Sequence, residues 1–323
     1  MSPIGQPRSR RAKLDLNLIV ALEALLRERS VSRAATEVGL SQPAMSAALA
    51  RLRRYFGDPL LARVGNGYQL TPLAQRLVER TTVAISAVDR VLETVPKLDM
   101  ERTTREFTMI VSGYVLATMG RAISDHLLAQ APRATINFVD LRPELVDRMS
   151  DRLRTADLAI VPRGFVTELP SVDLYTDHWV CLVAEENSDI DDTITLEQLG
   201  RSPWAVFQID PQSPNTPLHQ VKAQGVEPRV QVIGDNYLAL PYLLTGTLRV
   251  ALAPHLLAQN FVRAGGMRIV RTPLTLAPLR QALWWHPMYN SDPEFLWLRT
   301  TVVEAARSTV DAYASGEKSG VTE

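Results

Sequence analysis

Residues 30–56 hold two short helical patterns around a single glycine, and few folds accept that arrangement. Ala34 and Ala35 are followed by Gly39 and then by Ser41-Gln42-Pro43-Ala44-Met45-Ser46. Paired alanines let two helices cross closely, Gly39 supplies a turn, and Ser41 offers a hydroxyl to cap a helix beginning at Gln42. Pro43 falls in the first turn, where its missing N–H costs no intrahelical bond. Ser32 is the expected cap of the preceding short helix, which runs through Val38. Met45, Ala48, Leu49, Leu52 and Phe56 recur at helical spacing and form a buried stripe, leaving Gln42, Ser46, Ala47, Arg53 and Arg54 elsewhere on the surface. Two short helices joined by a tight turn make a helix-turn-helix.

The flanks extend this unit. Leu18, Ile19, Leu22, Leu25 and Leu26 place an apolar stripe on a first helix over 16–29. After it come strands expected over 60–64 and 68–70 around Gly65, Asn66 and Gly67, a hairpin that would form a wing. Pro72 opens a long helix in which Leu73, Leu77, Ala84, Val88, Val91 and Val95 recur near heptad spacing until Pro96. A helix of that length with one apolar edge needs a partner, so these six residues are the expected oligomerisation seam.

Charge singles out the same end. The chain has 35 basic and 35 acidic residues, yet up to Thr71 eleven basic residues face five acidic ones, so the two parts carry about +6 and −6. An anionic partner for the N-terminal part alone is the implication. Residues 1–13 read as a disordered basic arm without the apolar core of a secretory signal, no apolar run approaches a membrane span, and the protein is expected to be cytoplasmic. Cys181 is the single cysteine, so neither an intramolecular disulfide nor a cysteine zinc site is available. The five histidines have no metal-ligand spacing, and no nucleophile elbow or phosphate-binding loop appears, which argues against an enzyme, a metal or a cofactor.

Beyond Arg105, strands and helices alternate as in α/β folds. Strands are expected over 107–111, 135–140, 158–161, 179–184, 204–208, 229–233 and 250–253, and helices over 115–131, 144–155, 217–224 and 237–245.

Chemically, the helix at 42–56 suits a major groove, where Gln42 and Ser46 reach base edges or phosphates; an ordinary helical hairpin with solvated Ser and Gln is the alternative. The whole stretch 16–71 resembles the DNA-binding domain of LysR-type regulators. There a Ser-Gln-Pro-Ala-x-Ser helix leads through Phe56-Gly57-Asp58-Pro59-Leu60-Leu61 to a wing arginine, Arg63. The resemblance implies that Gln42, Pro43 and Ser46 face DNA and that Arg63 enters the minor groove. Ser32, Arg33 and Ser41 complete the expected DNA-facing set. Relatives often carry arginine where this chain has Ala47; Arg51, Arg53 and Arg54 either compensate through phosphates or form a solvated face.

The same resemblance implies a two-lobed α/β effector domain at 101–314, built like a periplasmic binding protein. Lobe 1 would take about 101–175 and 275–314, lobe 2 about 176–274, with a flexible tail at 315–323. Trp285-His286-Pro287-Met288-Tyr289-Asn290-Ser291-Asp292-Pro293, followed by Trp297-Leu298-Arg299, resembles the branch containing nodulation and aromatic-degradation regulators, and suggests a small aromatic or organic effector. Ser112, Tyr114, Phe207, Asn236 and Tyr237 sit at strand ends and helix starts, and either line its pocket or serve packing and capping. The implied protein is an allosteric transcription factor, a homodimer or homotetramer paired through residues 72–95, that binds double-stranded operator DNA and recruits RNA polymerase if it activates. A solute-binding protein without DNA regulation is the alternative, though it would leave the basic helix-turn-helix without a purpose.

Overall fold

The computed structural model describes residues 15–64, 67–93, 99–146, 148–207 and 216–319. They fall into two compact units that divide between residues 96 and 97. No helix among the described residues is long and apolar enough to cross a membrane.

In the first unit Asp15 accepts the Asn17 N–H at 3.1 Å and opens α1 (Leu16–Glu28). Arg29, at φ 48°, ends it by returning its N–H to the Leu25 carbonyl. Helix α2 (Val31–Glu37) is capped by Ser30, whose hydroxyl accepts the Arg33 N–H, and not by Ser32 as expected. The difference follows from Arg29: its left-handed backbone turns the chain at once, so α2 begins a residue before Ser32. Gly39, at φ 70°, makes the turn. Ser41 then caps α3 (Gln42–Phe56) at the Ala44 N–H, with Pro43 in the first turn. Ala34 and Ala35 are buried against Met45, Leu49 and Leu52, so the close crossing is realised.

The segment after α3 is held from three sides. Gly57 ends the helix at φ 64°, and Leu60 adopts φ 60°, a conformation that costs a non-glycine residue about 1–2 kcal/mol. Asp58 Oδ1 offsets that cost by accepting the Leu60 N–H at 2.6 Å and the Thr71 hydroxyl at 2.7 Å, while the Leu60 side chain is 1% exposed in the core. Strands β1 (Leu61–Val64) and β2 (Gly67–Leu70) pair antiparallel, with Arg63 opposite Tyr68. Gly65 and Asn66 of the expected turn, and the expected arm at 1–13, lie outside the described residues. Thr71 caps the next helix, α4 (Pro72–Glu93), at the Ala74 N–H. Leu77 packs on the core of its own unit, so the apolar edge expected to await a partner is partly covered within the chain. Leu73, Ala84 and Val88 are half-buried and Val91 is helical; Val95 lies outside the described residues.

The second unit contains two five-stranded sheets. Its elements follow in the order β3 (Glu106–Val111), α5 (Gly113–Gln130), β4 (Thr135–Asp140), α6 (Pro143–Val146), α7 (Met149–Arg152), β5 (Leu158–Pro162) and β6 (Ser171–Asp177). Next come β7 (Trp179–Ala184), α8 (Leu196–Arg201), β8 (Pro203–Phe207), α9 (Pro217–Ala223), β9 (Arg229–Gly234), a 3-10 turn (Tyr237–Ala239) and α10 (Leu240–Leu244). The chain ends with β10 (Val250–Pro254), α11 (His255–Ala264), β11 (Met267–Val270), β12 (Leu279–Trp284), a second 3-10 turn (Pro287–Tyr289) and α12 (Pro293–Ser319). Lobe 1 has the order β4-β3-β5-β12-β6 and lobe 2 the order β11-β7-β10-β8-β9. Strand β3 runs parallel to β4 and β5, and β8 parallel to β9 and β10, while β12 and β7 are antiparallel to their neighbours.

The chain crosses between the sheets twice, through His178 alone and back through 271–278. The helix expected over 144–155 is instead two single turns, interrupted where Arg148 leaves the helical region at ψ 21°. Helix α12 continues to Ser319, into the segment expected as a tail.

Candidate nucleic-acid interface and ligand cleft

On α3 the buried Met45, Leu49 and Leu52 fix which face turns outward, and Gln42, Pro43, Ser46 and Ala47 lie exposed on it. Short side chains at 46, 47 and 50 leave that face smooth enough for its backbone to approach another surface. Arg51, Arg54 and the wing's Arg63 are exposed and make no ion pair among the described residues. Arg53 differs. Its guanidinium donates to the carbonyls of Pro59 at 2.9 Å and Leu61 at 3.3 Å, so it clamps the segment leading into the wing. Arg33 is also tied down, to the Glu28 carboxylate at 2.8 Å and to the Glu28 carbonyl, joining the start of α2 to the end of α1. The Ser41 hydroxyl serves as a cap, and Ser32 is exposed.

In the second unit a cavity of about 100 Å³ opens between the lobes, where the N-terminus of α5 meets the turn after β9. Four of the sequence-predicted residues line it: Ser112, Tyr114, Asn236 and Tyr237. Their side chains are partly committed. The Ser112 hydroxyl accepts the Val115 N–H, Asn236 Oδ1 accepts the Leu238 N–H at 3.0 Å, and Tyr237 donates to the Phe207 carbonyl at 3.0 Å. Tyr114 is 4% exposed with its ring in the lobe 1 core, so it borders the cavity while packing beneath it. Phe207 is no part of this cavity. It lies buried 5.7 Å from the Tyr237 ring and borders a separate, smaller space. Asp140, Arg142 and Asp235 also line the cavity, and sequence reasoning missed them. Asp140 is the last residue of β4, Arg142 follows it and Asp235 follows β9, so all three lie at the C-terminal ends of parallel strands, where α/β sheets place ligands; that rule needs the strand neighbours to be known.

Beside the cavity the first crossover is tightly built. Asp177 is 3% exposed and accepts the Tyr114 hydroxyl at 2.7 Å, the His178 N–H at 2.7 Å and the Leu256 N–H at 3.3 Å. The rings of His178 and His255 stack with centroids 4.2 Å apart. Burial pushes the Tyr114 phenol well above its ordinary pKa, so it remains a donor.

The segment 285–299, which suggested an aromatic effector, lies elsewhere. Trp285 Nε1 donates to Asn290 at 2.8 Å, the Tyr289 hydroxyl donates to the Arg154 carbonyl at 3.1 Å, and Arg299 covers the Trp285 ring at 5.1 Å. These contacts fold the turn after β12 on itself and tie it to α12 and to the chain after α7, and Trp285 and Arg299 border a groove on lobe 1. The motif therefore has a packing role and does not touch the interlobe cavity.

Comparison with known proteins decides what these parts make. Residues 16–75 match the family described as the lysR-family bacterial regulatory helix-turn-helix protein, and residues 118–307 match the LysR substrate binding domain. The chain belongs to the LysR family. This LysR-type protein is 31% identical over 304 residues to nodulation protein D 2 of Rhizobium tropici, covering 93% of this chain and 96% of that protein. A probable transcriptional regulator from Pseudomonas aeruginosa shares its fold with TM-score 0.68 and 24% identity, over 91% of this chain and 98% of that one. Full-length CbnR complexed with its target DNA has the same fold at TM-score 0.66 and 16% identity, over 92% of this chain and 100% of that one. The LysR-type protein is a DNA-binding transcriptional regulator with an effector domain and is not an enzyme. The helix-turn-helix domain sets aside the solute-binding alternative.

Proposed function

We propose that this regulator reads a double-stranded operator with Gln42 and Ser46 in the major groove, Arg63 in the flanking minor groove, and Arg51 and Arg54 on phosphates. A small organic acid, aromatic by resemblance, binds between the lobes and alters DNA bending. The observation that carries the ligand reading is the cavity itself, in which Arg142 and the N-terminal end of α5 offer N–H donors to an anion from lobe 1 and Tyr237 faces them from lobe 2, while the Asp140 and Asp235 carboxylates in the same lining would meet hydroxyl or amino groups of the ligand. Its size makes the mechanism concrete. About 100 Å³ is less than the roughly 150 Å³ that holds benzene in a protein interior. An aromatic acid therefore fits this cleft fully only if the lobes move apart, and a ligand that moves them has the different affinity for two arrangements that regulation requires.

The protein acts in the cytoplasm as a homodimer or homotetramer. Supporting this are the half-buried Ala84 and Val88 on α4, together with Leu116 and Leu128 exposed on α5 and Ile233 exposed on the edge strand β9. RNA polymerase is the further partner when the regulator activates.

Calorimetry with benzoates, salicylates and phenols, paired with retardation of an operator fragment, tests the reading. S112A and R142A should lose ligand binding and keep effector-free operator binding. An amino acid or sugar binding in place of the panel would overturn the aromatic class, and V88D leaving the mass in light scattering unchanged would overturn the α4 seam.

A further inference from the structure

We propose that Asp177, His178 and His255 form a site for a divalent transition-metal ion of the zinc class at the crossover between the two lobes. Each residue offers one ligand atom, and these atoms all lie within 4.8 Å of one another. Tetrahedral zinc, with bonds of about 2 Å, needs its ligands about 3.3 Å apart. The His178 and His255 rings are stacked in the metal-free form, so binding requires the His178 ring to swing out of the stack and turn its lone pair toward the ion, a rotation that its 64% exposed side chain permits. Two imidazoles and one carboxylate form a mixed nitrogen and oxygen donor set that favours zinc, nickel or copper over magnesium or calcium, which prefer oxygen alone.

The surroundings supply the outer shell that such sites require. Asp177 is oriented by the Tyr114 hydroxyl and by the backbone N–H groups of His178 and Leu256. Gln259, whose amide nitrogen lies 3.2 Å from His255 Nε2, donates to that nitrogen in the metal-free form; with a metal on the other ring nitrogen, the amide would turn its carbonyl to accept the Nε2 proton. His255 begins α11, and a helix N-terminus opposes a cation; the Asp177 carboxylate, accepting the Leu256 N–H there, offsets that potential.

Position gives the site its consequence. Asp177 ends β6 in lobe 1, His178 is the crossover, and His255 follows β10 of lobe 2. A bound ion would join the crossover to the first turn of α11, whose Leu256 and Leu257 pack in the lobe 1 core. It would thereby bias the lobe arrangement, and operator affinity would depend on metal and metal affinity on operator by the same factor. Three coordinated side chains leave a further position for water.

The test uses tag-free full-length protein, stripped with a chelator and titrated calorimetrically with zinc chloride, with magnesium chloride as comparison. One zinc per chain and no response to magnesium are expected. H178A and H255A should each weaken zinc binding by about 100-fold or more, and Y114F, removing an outer-shell partner, by about 10-fold. Cobalt in place of zinc should give visible d–d absorption that H178Q abolishes while its circular dichroism stays that of the parent, which separates lost coordination from lost fold. Absence of saturable zinc binding, equal binding of magnesium, or stoichiometric zinc binding that survives in the H178A/H255A double variant would each overturn the site.

Discussion

Tyr114, at the start of α5, donates its phenolic hydrogen to Asp177 at the end of β6 across 2.7 Å of buried interior. A carboxylate held there depends on its donors, since an unpaired buried charge is costly. Y114F leaves Asp177 one donor short, and we expect a loss of about 1.5–3 kcal/mol in urea unfolding of the full chain. A loss below about 0.5 kcal/mol would mean that water takes the place of the hydroxyl.

Arg53 and Gln42 lie on one helix and should fail differently. Arg53 holds the carbonyls of Pro59 and Leu61, so R53A should release the wing and weaken binding to operator and random DNA alike. Gln42 has no side-chain hydrogen-bond partner among the described residues, so Q42A should cost about 1–3 kcal/mol at the operator alone. R63A should lower the salt slope by about one unit. Parallel losses for R53A and Q42A on both kinds of DNA would remove the distinction between framing and reading.

Gly113 is set by a close approach between the lobes. A Cβ added there would lie 3.1 Å from Asn236 Oδ1 and 3.5 Å from Leu238 Cδ1, across the mouth of the cavity. G113A should therefore push the lobes apart and mimic part of the effector response, changing operator affinity without ligand while the DNA-binding domain is untouched. An unchanged gel-retardation curve and unchanged small-angle scattering would show that Asn236 simply moves aside.

Cys181 is fully buried in β7, and burial pushes its thiol up to about 12. The unfolded thiol ionises first as pH rises, so this contribution to stability is intact below the ordinary thiol range and is lost as pH climbs from there through about 12. Iodoacetamide at neutral pH should leave the native protein unmodified and label one thiol after denaturation. C181A should flatten the alkaline fall in stability by about one proton, and an equal slope in both proteins would contradict the assignment.

Local signals were legible in the chain, and those that depend on pairing were not. The helices of the first unit carry their own caps and stripes, and the seven strands expected in the second appear to within a residue, because runs such as Trp179–Ala184 are apolar throughout. Strands β6, β11 and β12 went unread: β6 is polar at an edge, β11 is short, and β12 carries Arg280 and the buried Gln281. The bonds of Arg53 to the Pro59 and Leu61 carbonyls were not legible, because backbone acceptors leave no residue pattern. Arg142 and Asp235 needed the parallel neighbours of β4 and β9, and His255 meets His178 only after most of lobe 2 has folded between them.

The two crossings of the chain also set an order of assembly. Lobe 2 is one continuous stretch of sequence, whereas among the described residues β6 of lobe 1 has β12 as its sole sheet neighbour, and β12 is made only after lobe 2 is complete. On the ribosome, then, lobe 2 is an insertion that can close while lobe 1 waits with an open edge at β5. The long-range pairing of β12 between β5 and β6 becomes the slow, late step of folding. Truncations before residue 279 should leave lobe 1 exposed to aggregation while lobe 2 keeps its sheet.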